Sequence, residues 1–139
     1  MLFSEITLRG LLSFGPETPP LPLRRLNVLI GPNGSGKSNL IEAISIFRAA
    51  PKQLAAPVQS GGGVSEWIWK GGGAIDARVA ALVFNPKGRP IRHLISFKEK
   101  SQRFELTDER IEFDEAKSGK TNPSVKKSST PLALSSFTV

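Results

Sequence analysis

Ile6 and Leu8 alternate with Glu5, Thr7 and Arg9, which predicts a short half-buried strand near the start of the chain. A loop carrying Gly15, Pro16, Pro19, Pro20 and Pro22 follows. Leu26-Asn27-Val28-Leu29-Ile30 is then a nearly continuous apolar run, the pattern of a strand buried on both faces, and Gly31 ends it. From Ser38 the period changes. Leu40, Ile41, Ile44 and Phe47 fall on one helical face, with Glu42, Ser45 and Arg48 on the other side. Pro51 stops this helix near Ala49 or Ala50, because the residue before a proline disfavours helical dihedrals.

Residues 51–76 are less regular. Two triple glycines, Gly61–Gly63 and Gly71–Gly73, bracket Val64–Lys70, which predicts a mobile loop with a short anchored segment. Three antiparallel strands are expected between Ala77 and Phe113. Arg78–Phe84 and Ile91–Phe97 are joined by Asn85-Pro86-Lys87-Gly88, where proline presets one dihedral and glycine permits another. Phe104, Leu106, Ile111 and Phe113 alternate with polar neighbours, giving a third strand with one wet face. After Glu115 the chain is rich in Ser, Thr and Lys and contains no acid. Residues 1–115 therefore read as one folded unit and residues 116–139 as a basic tail too poor in apolar area to offset chain entropy.

Composition narrows the classes. The chain of 139 residues contains no cysteine, which excludes disulfides, thiolate zinc sites and thiol nucleophiles. No apolar run reaches the roughly 18–20 residues that a membrane span requires, and the N-terminus lacks signal-peptide character. These features predict a cytoplasmic protein without a membrane partner. The net charge is +7, but Lys117, Lys120, Lys126 and Lys127 account for four of the 19 basic side chains. Residues 1–115 keep 15 basic against 12 acidic groups, a mixed solvated surface rather than a nucleic-acid footprint.

The chemistry is concentrated at Gly31-Pro32-Asn33-Gly34-Ser35-Gly36-Lys37-Ser38, which matches G-x-x-x-x-G-K-[ST] at every fixed position. Chance predicts about 0.005 such matches in a chain of this length at ordinary residue usage. Each position has a physical reason. Backbone N–H groups of the loop wrap a polyphosphate, and Gly34 and Gly36 allow the wrap because no β-carbon blocks it. The following helix adds unpaired N–H groups and the positive end of its dipole. Lys37 is expected at the β- and γ-phosphates, the Ser38 hydroxyl on Mg²⁺, and Asn39 beside them. ATP and Mg are the predicted cofactors.

The run Asn27–Ile44, with Asn39-Leu40-Ile41-Glu42-Ala43-Ile44 after the loop, resembles ATPases of the SMC and RecF type within the ABC class. Leu8–Gly15 is similar to their opening strand and loop. Ile68-Trp69-Lys70-Gly71 followed by Ala77-Arg78-Val79 is similar to their lead into an antiparallel sheet. The resemblance covers most of residues 1–113. It implies an α/β P-loop NTPase lobe: a mixed sheet with the P-loop helix, plus an antiparallel β-meander. It also implies that this lobe works with a C-terminal lobe and a second ATPase head, acting on DNA in repair, maintenance or defence.

The family's remaining motifs are not found. Ile111-Glu112-Phe113-Asp114-Glu115 imitates the hydrophobic run that ends in Asp-Glu, but Glu112 interrupts it, and a wet-faced strand is the preferred reading. Gln53, Gln59 and Gln102 are equal candidates for the loop glutamine. His93, the single histidine, is expected in a surface or packing role rather than as the family's switch histidine, Trp67 and Trp69 as loop anchors rather than stacked on adenine, and Arg48 and Lys52 on an exposed face rather than at the γ-phosphate. No catalytic residue is assigned, and ATP hydrolysis is expected of the complete protein. Two rivals stand beside this reading. One is the ATPase subunit of an ABC transporter, disfavoured by Asn39 after Lys-Ser and by the absence of tyrosine. The other is a nucleotide-sensing module that binds ATP without hydrolysing it.

Overall fold

The computed structural model describes residues 3–73 and 75–114. The predicted tail lies outside these residues. The described elements are β1 (Phe3–Arg9), β2 (Leu21–Pro22), α1 (Lys37–Ala49), α2 (Ala56–Ser60), α3 (Val64–Trp67), β3 (Ala77–Val83), β4 (Ile91–Lys100) and β5 (Arg103–Phe113). The strands form one sheet in the order β2-β1-β3-β4-β5, and every neighbouring pair is antiparallel. Among the described residues the sheet is therefore not mixed, as the resemblance had implied.

One face of the sheet carries the core. Ile6 and Leu8 of β1, Ala77, Val79 and Ala81 of β3, and Ile95 and Phe97 of β4 point the same way, as the two-residue strand period requires. Leu40, Ala43, Ile46 and Phe47 of α1, Val58 of α2 and Trp67 of α3 close over them. The far end of α1 is fixed by rings: Phe47 lies 5.6 Å from Phe3 and 5.4 Å from His93, centroid to centroid. His93 Nε2 is 3.0 Å from Glu109 Oε1, which gives the histidine the packing role expected of it.

Two expectations are corrected. Leu26–Ile30 is not a strand, and it is not buried: Leu26, Val28 and Ile30 are 80%, 71% and 91% exposed. A run can satisfy both faces of a buried strand only if neighbouring strands flank it, and none does here. The buried stripe of α1 is also rotated from the predicted one. Ala43 and Ile46 face the core, whereas Ile41 is 64% exposed. Segment 26–30 and Ile41 together leave a set of large apolar side chains facing solvent.

Candidate nucleotide-binding site

The loop Gly31–Gly36 leads directly into α1. Gly36 is the residue before the helix and adopts φ 86°, a left-handed conformation that costs an L side chain about 1–2 kcal/mol. A β-carbon there would also lie 2.6 Å from Ser13 Oγ, and that hydroxyl would have to turn aside. Gly34 has φ 81° and open space around it. The loop is folded on a turn in which Ser35 N–H donates to the Pro32 carbonyl at 3.3 Å.

Lys37 is the first residue of α1 and its ammonium folds back over the loop. It donates to the carbonyls of Gly31 (2.8 Å) and Pro32 (2.7 Å) and to Ser35 Oγ (3.2 Å). An ammonium has three N–H donors, and all three are engaged in holding the loop. The N-terminus of α1 has no side-chain cap and no acid in its first turn. Its free N–H groups and dipole therefore face an anion with nothing opposing them. Ser38 sits exposed in the same turn, and its hydroxyl has no hydrogen-bond partner among the described residues. That hydroxyl fits a magnesium ligand. One hydroxyl would leave the rest of an octahedral magnesium shell to phosphate oxygens and water.

Beside this N-terminus lies a groove of about 410 Å³, bounded by Leu12 and Ser13, by Asn39 and Glu42 of α1, and by Ile68 and Lys70. Its far wall is built by backbone pairing: Leu12 N–H donates to the Trp67 carbonyl (2.7 Å) and Trp69 N–H to the Gly10 carbonyl (3.1 Å). Trp67 is buried in the core, and the Trp69 ring is clasped between Gly15 and Gly71. Both tryptophans are thus anchors for the glycine-rich segment, and neither ring is free to stack on a base. Lys70 pairs with Glu66 at 2.7 Å along the rim.

Other candidates lie elsewhere. Arg48 is exposed in the last turn of α1, about 16 Å along the helix axis from Lys37. Lys52 is beyond it, so neither reaches the loop. Asp114 is buried at the opposite end of the sheet, where Arg92 holds it at 3.1 Å and its N–H donates to the Pro90 carbonyl. Asp114 of the interrupted motif thus sits in a structural ion pair, and Glu115 lies outside the described residues. Gln53 follows α1, Gln59 lies in α2, and Gln102 occupies the β4–β5 turn at φ 62°. All three are exposed. The Ser13–Gly36 contact was missed by sequence reading, because nothing in the motif itself points 23 residues back along the chain.

A protein-family model described as "AAA domain, putative AbiEii toxin, Type IV TA system" (AAA_21) matches residues 26–137. The chain belongs to this family. It is a P-loop ATPase family, and membership implies nucleotide binding. The AAA_21 match begins at the exposed apolar segment, takes in the whole loop and the sheet strands β3–β5, and continues past Glu115. No curated protein and no solved structure matches the chain.

Proposed function

We propose that this chain binds ATP with magnesium through Gly31–Asn39, as the N-terminal lobe of a larger ATPase. The observation that carries the reading is the junction at Gly36 and Lys37: a left-handed glycine opens onto an uncapped, acid-free helix N-terminus with a lysine poised over the loop. In this reading Lys37 would donate to the β- and γ-phosphates, Ser38 would hold Mg²⁺, and the groove beside Leu12, Ile68 and Lys70 would take the nucleoside. ATP supplies the chemistry; this chain binds and orients it.

The exposed apolar side chains of Leu26–Ile30, and separately Ile41 on α1, support a second lobe that would cover them. The SMC/RecF resemblance puts the acid that would position water for hydrolysis on that lobe; Asp114 is engaged elsewhere in this chain. Such an ATPase would act in DNA maintenance or defence. The first frame follows from the SMC/RecF resemblance, the second from the toxin–antitoxin wording of the family description.

Calorimetric titration of the full chain with ATP–Mg²⁺ tests the reading. Lys37→Ala removes charged hydrogen bonds worth roughly 1.5–3 kcal/mol each, so affinity should fall about tenfold to a hundredfold. Equal affinities would remove the assignment. Phosphate release by the chain alone should not exceed that of the Lys37→Ala variant.

A further inference from the structure

The sheet guards its two edges unequally. On one side β2 is two residues long and contains Pro22, which has no N–H to offer another strand. On the other side β5 runs for eleven residues, with one side of its backbone unpaired among the described residues. An open edge of this length invites pairing unless its side chains forbid it.

The side chains of β5 have a particular arrangement. Ser96 faces Asp108 and Phe97 faces Leu106, which leaves Thr107 as a bulge without a cross-strand partner. The extra residue shifts the alternation. Phe104 and Leu106 before the bulge share the helix-covered face with Glu109, Ile111 and Phe113 after it. Arg103, Glu105, Asp108, Arg110 and Glu112 share the other. The pairs Lys98–Glu105 and Asp108–Arg110 on one face and His93–Glu109 on the other agree with this division.

We propose that β5 is an association edge for a second copy of this chain, antiparallel about a two-fold axis between Thr107 and Asp108. That register sets Arg103 of one copy against Glu112 of the other, Glu105 against Arg110, Phe104 against Ile111 and Leu106 against Glu109. Every pair joins residues of the same face. Both charged pairs on the outer face join opposite signs, and the symmetry makes each twice. A shift by two residues one way opposes Glu105 to Glu112. The opposite shift sets Arg103 against Arg110 and Glu105 against Asp108. A shift by one turns every side chain to the wrong face. The charges therefore select one register. Arg103 and Glu112 have no ion-pair partner within the described residues, and Leu106 is exposed, so all three gain contacts on association. Residues 116–139 contain no acid to answer Arg103 and Arg110, which favours a second β5 over the chain's own tail.

Sedimentation of the full chain from micromolar to millimolar concentration should show a monomer–dimer equilibrium. Arg103→Glu sets like charges opposite each other twice while gaining Lys100 within its own chain, and should raise the dimer dissociation constant about tenfold or more. Adding Glu112→Arg to that variant should restore association. The register can be read directly because the chain has no cysteine. Mixed Arg103→Cys and Glu112→Cys chains should form the mixed disulfide on oxidation in preference to either like pair. A monomer at every concentration overturns the proposal, as does a dimer indifferent to Arg103→Glu. A monomer whose β5 amides resist hydrogen exchange also overturns it, with residues 115–139 as the occupant.

Discussion

The hydroxyl oxygen of Ser13 lies 2.6 Å from the position that a β-carbon would take on Gly36. The loop that follows β1 therefore lies close against the phosphate loop at the residue where it turns into α1. Gly36→Ala adds a methyl group into that contact at φ 86°, so affinity for ATP–Mg²⁺ should drop at least about tenfold. Ser13→Ala in the same chain removes the contact but leaves the dihedral cost, and should recover only part of the loss. Titration with a fluorescent ATP analogue measures both. Undiminished binding by Gly36→Ala would show that the loop re-forms without its left-handed turn.

Gly71→Ala should destabilise the fold by about 1–3 kcal/mol, because the Trp69 ring occupies the space a β-carbon would need. The second variant Trp69→Leu, combined with Gly71→Ala, should regain part of that loss by emptying the clasp. Urea denaturation followed by circular dichroism reads both. A midpoint unchanged in Gly71→Ala would mean that the clasp contributes nothing to stability.

The turn between β4 and β5 places Ser101 and Gln102 at φ 51° and 62°, the two-residue arrangement that favours Asn-Gly. Replacing the pair by Asn and Gly relieves left-handed strain and should stabilise the chain by about 1 kcal/mol. The gain would appear as a higher melting temperature, and a lower one would contradict the turn geometry.

Ile30→Thr and Leu26→Thr should leave the stability of this chain within about 0.5 kcal/mol of the parent, since both side chains face solvent. Solubility should rise. Thermal melts of parent and variants decide this, and a loss of several kcal/mol would mean that the segment is buried in solution.

Much of the fold was legible because its signals are local. The alternation of Ile6 and Leu8, the Asn85–Gly88 turn and the motif ending in Lys37-Ser38 each specify geometry within a few residues. Leu26–Ile30 was not legible in the same way. An apolar run states a preference for burial, but burial also needs neighbouring strands, and their presence is a property of the sheet order rather than of the run. The helix presents a related ambiguity. Leu40, Ile41, Ala43, Ile44, Ile46 and Phe47 make α1 apolar around most of its circumference, so its period could not say which stripe would meet β1, β3 and β4. The groove was invisible in the sequence, since Leu12, Asn39 and Ile68 meet only through backbone pairing between Gly10–Leu12 and Trp67–Trp69.

All three donors of the Lys37 ammonium are engaged within the phosphate loop. Its ammonium is a strut of the loop, and phosphate oxygens would compete for it with the acceptors that hold it. The affinity a lysine lends such a site is thus an exchange free energy, smaller than the full strength of an ammonium–phosphate contact. The Lys37 contacts within the loop hold Gly31 and Pro32, and Gly31 is the residue that joins the loop to the uncovered segment Leu26–Ile30. Lys37 in this way anchors the residue from which the apolar strip departs, so the strip is tied at one end to the phosphate loop.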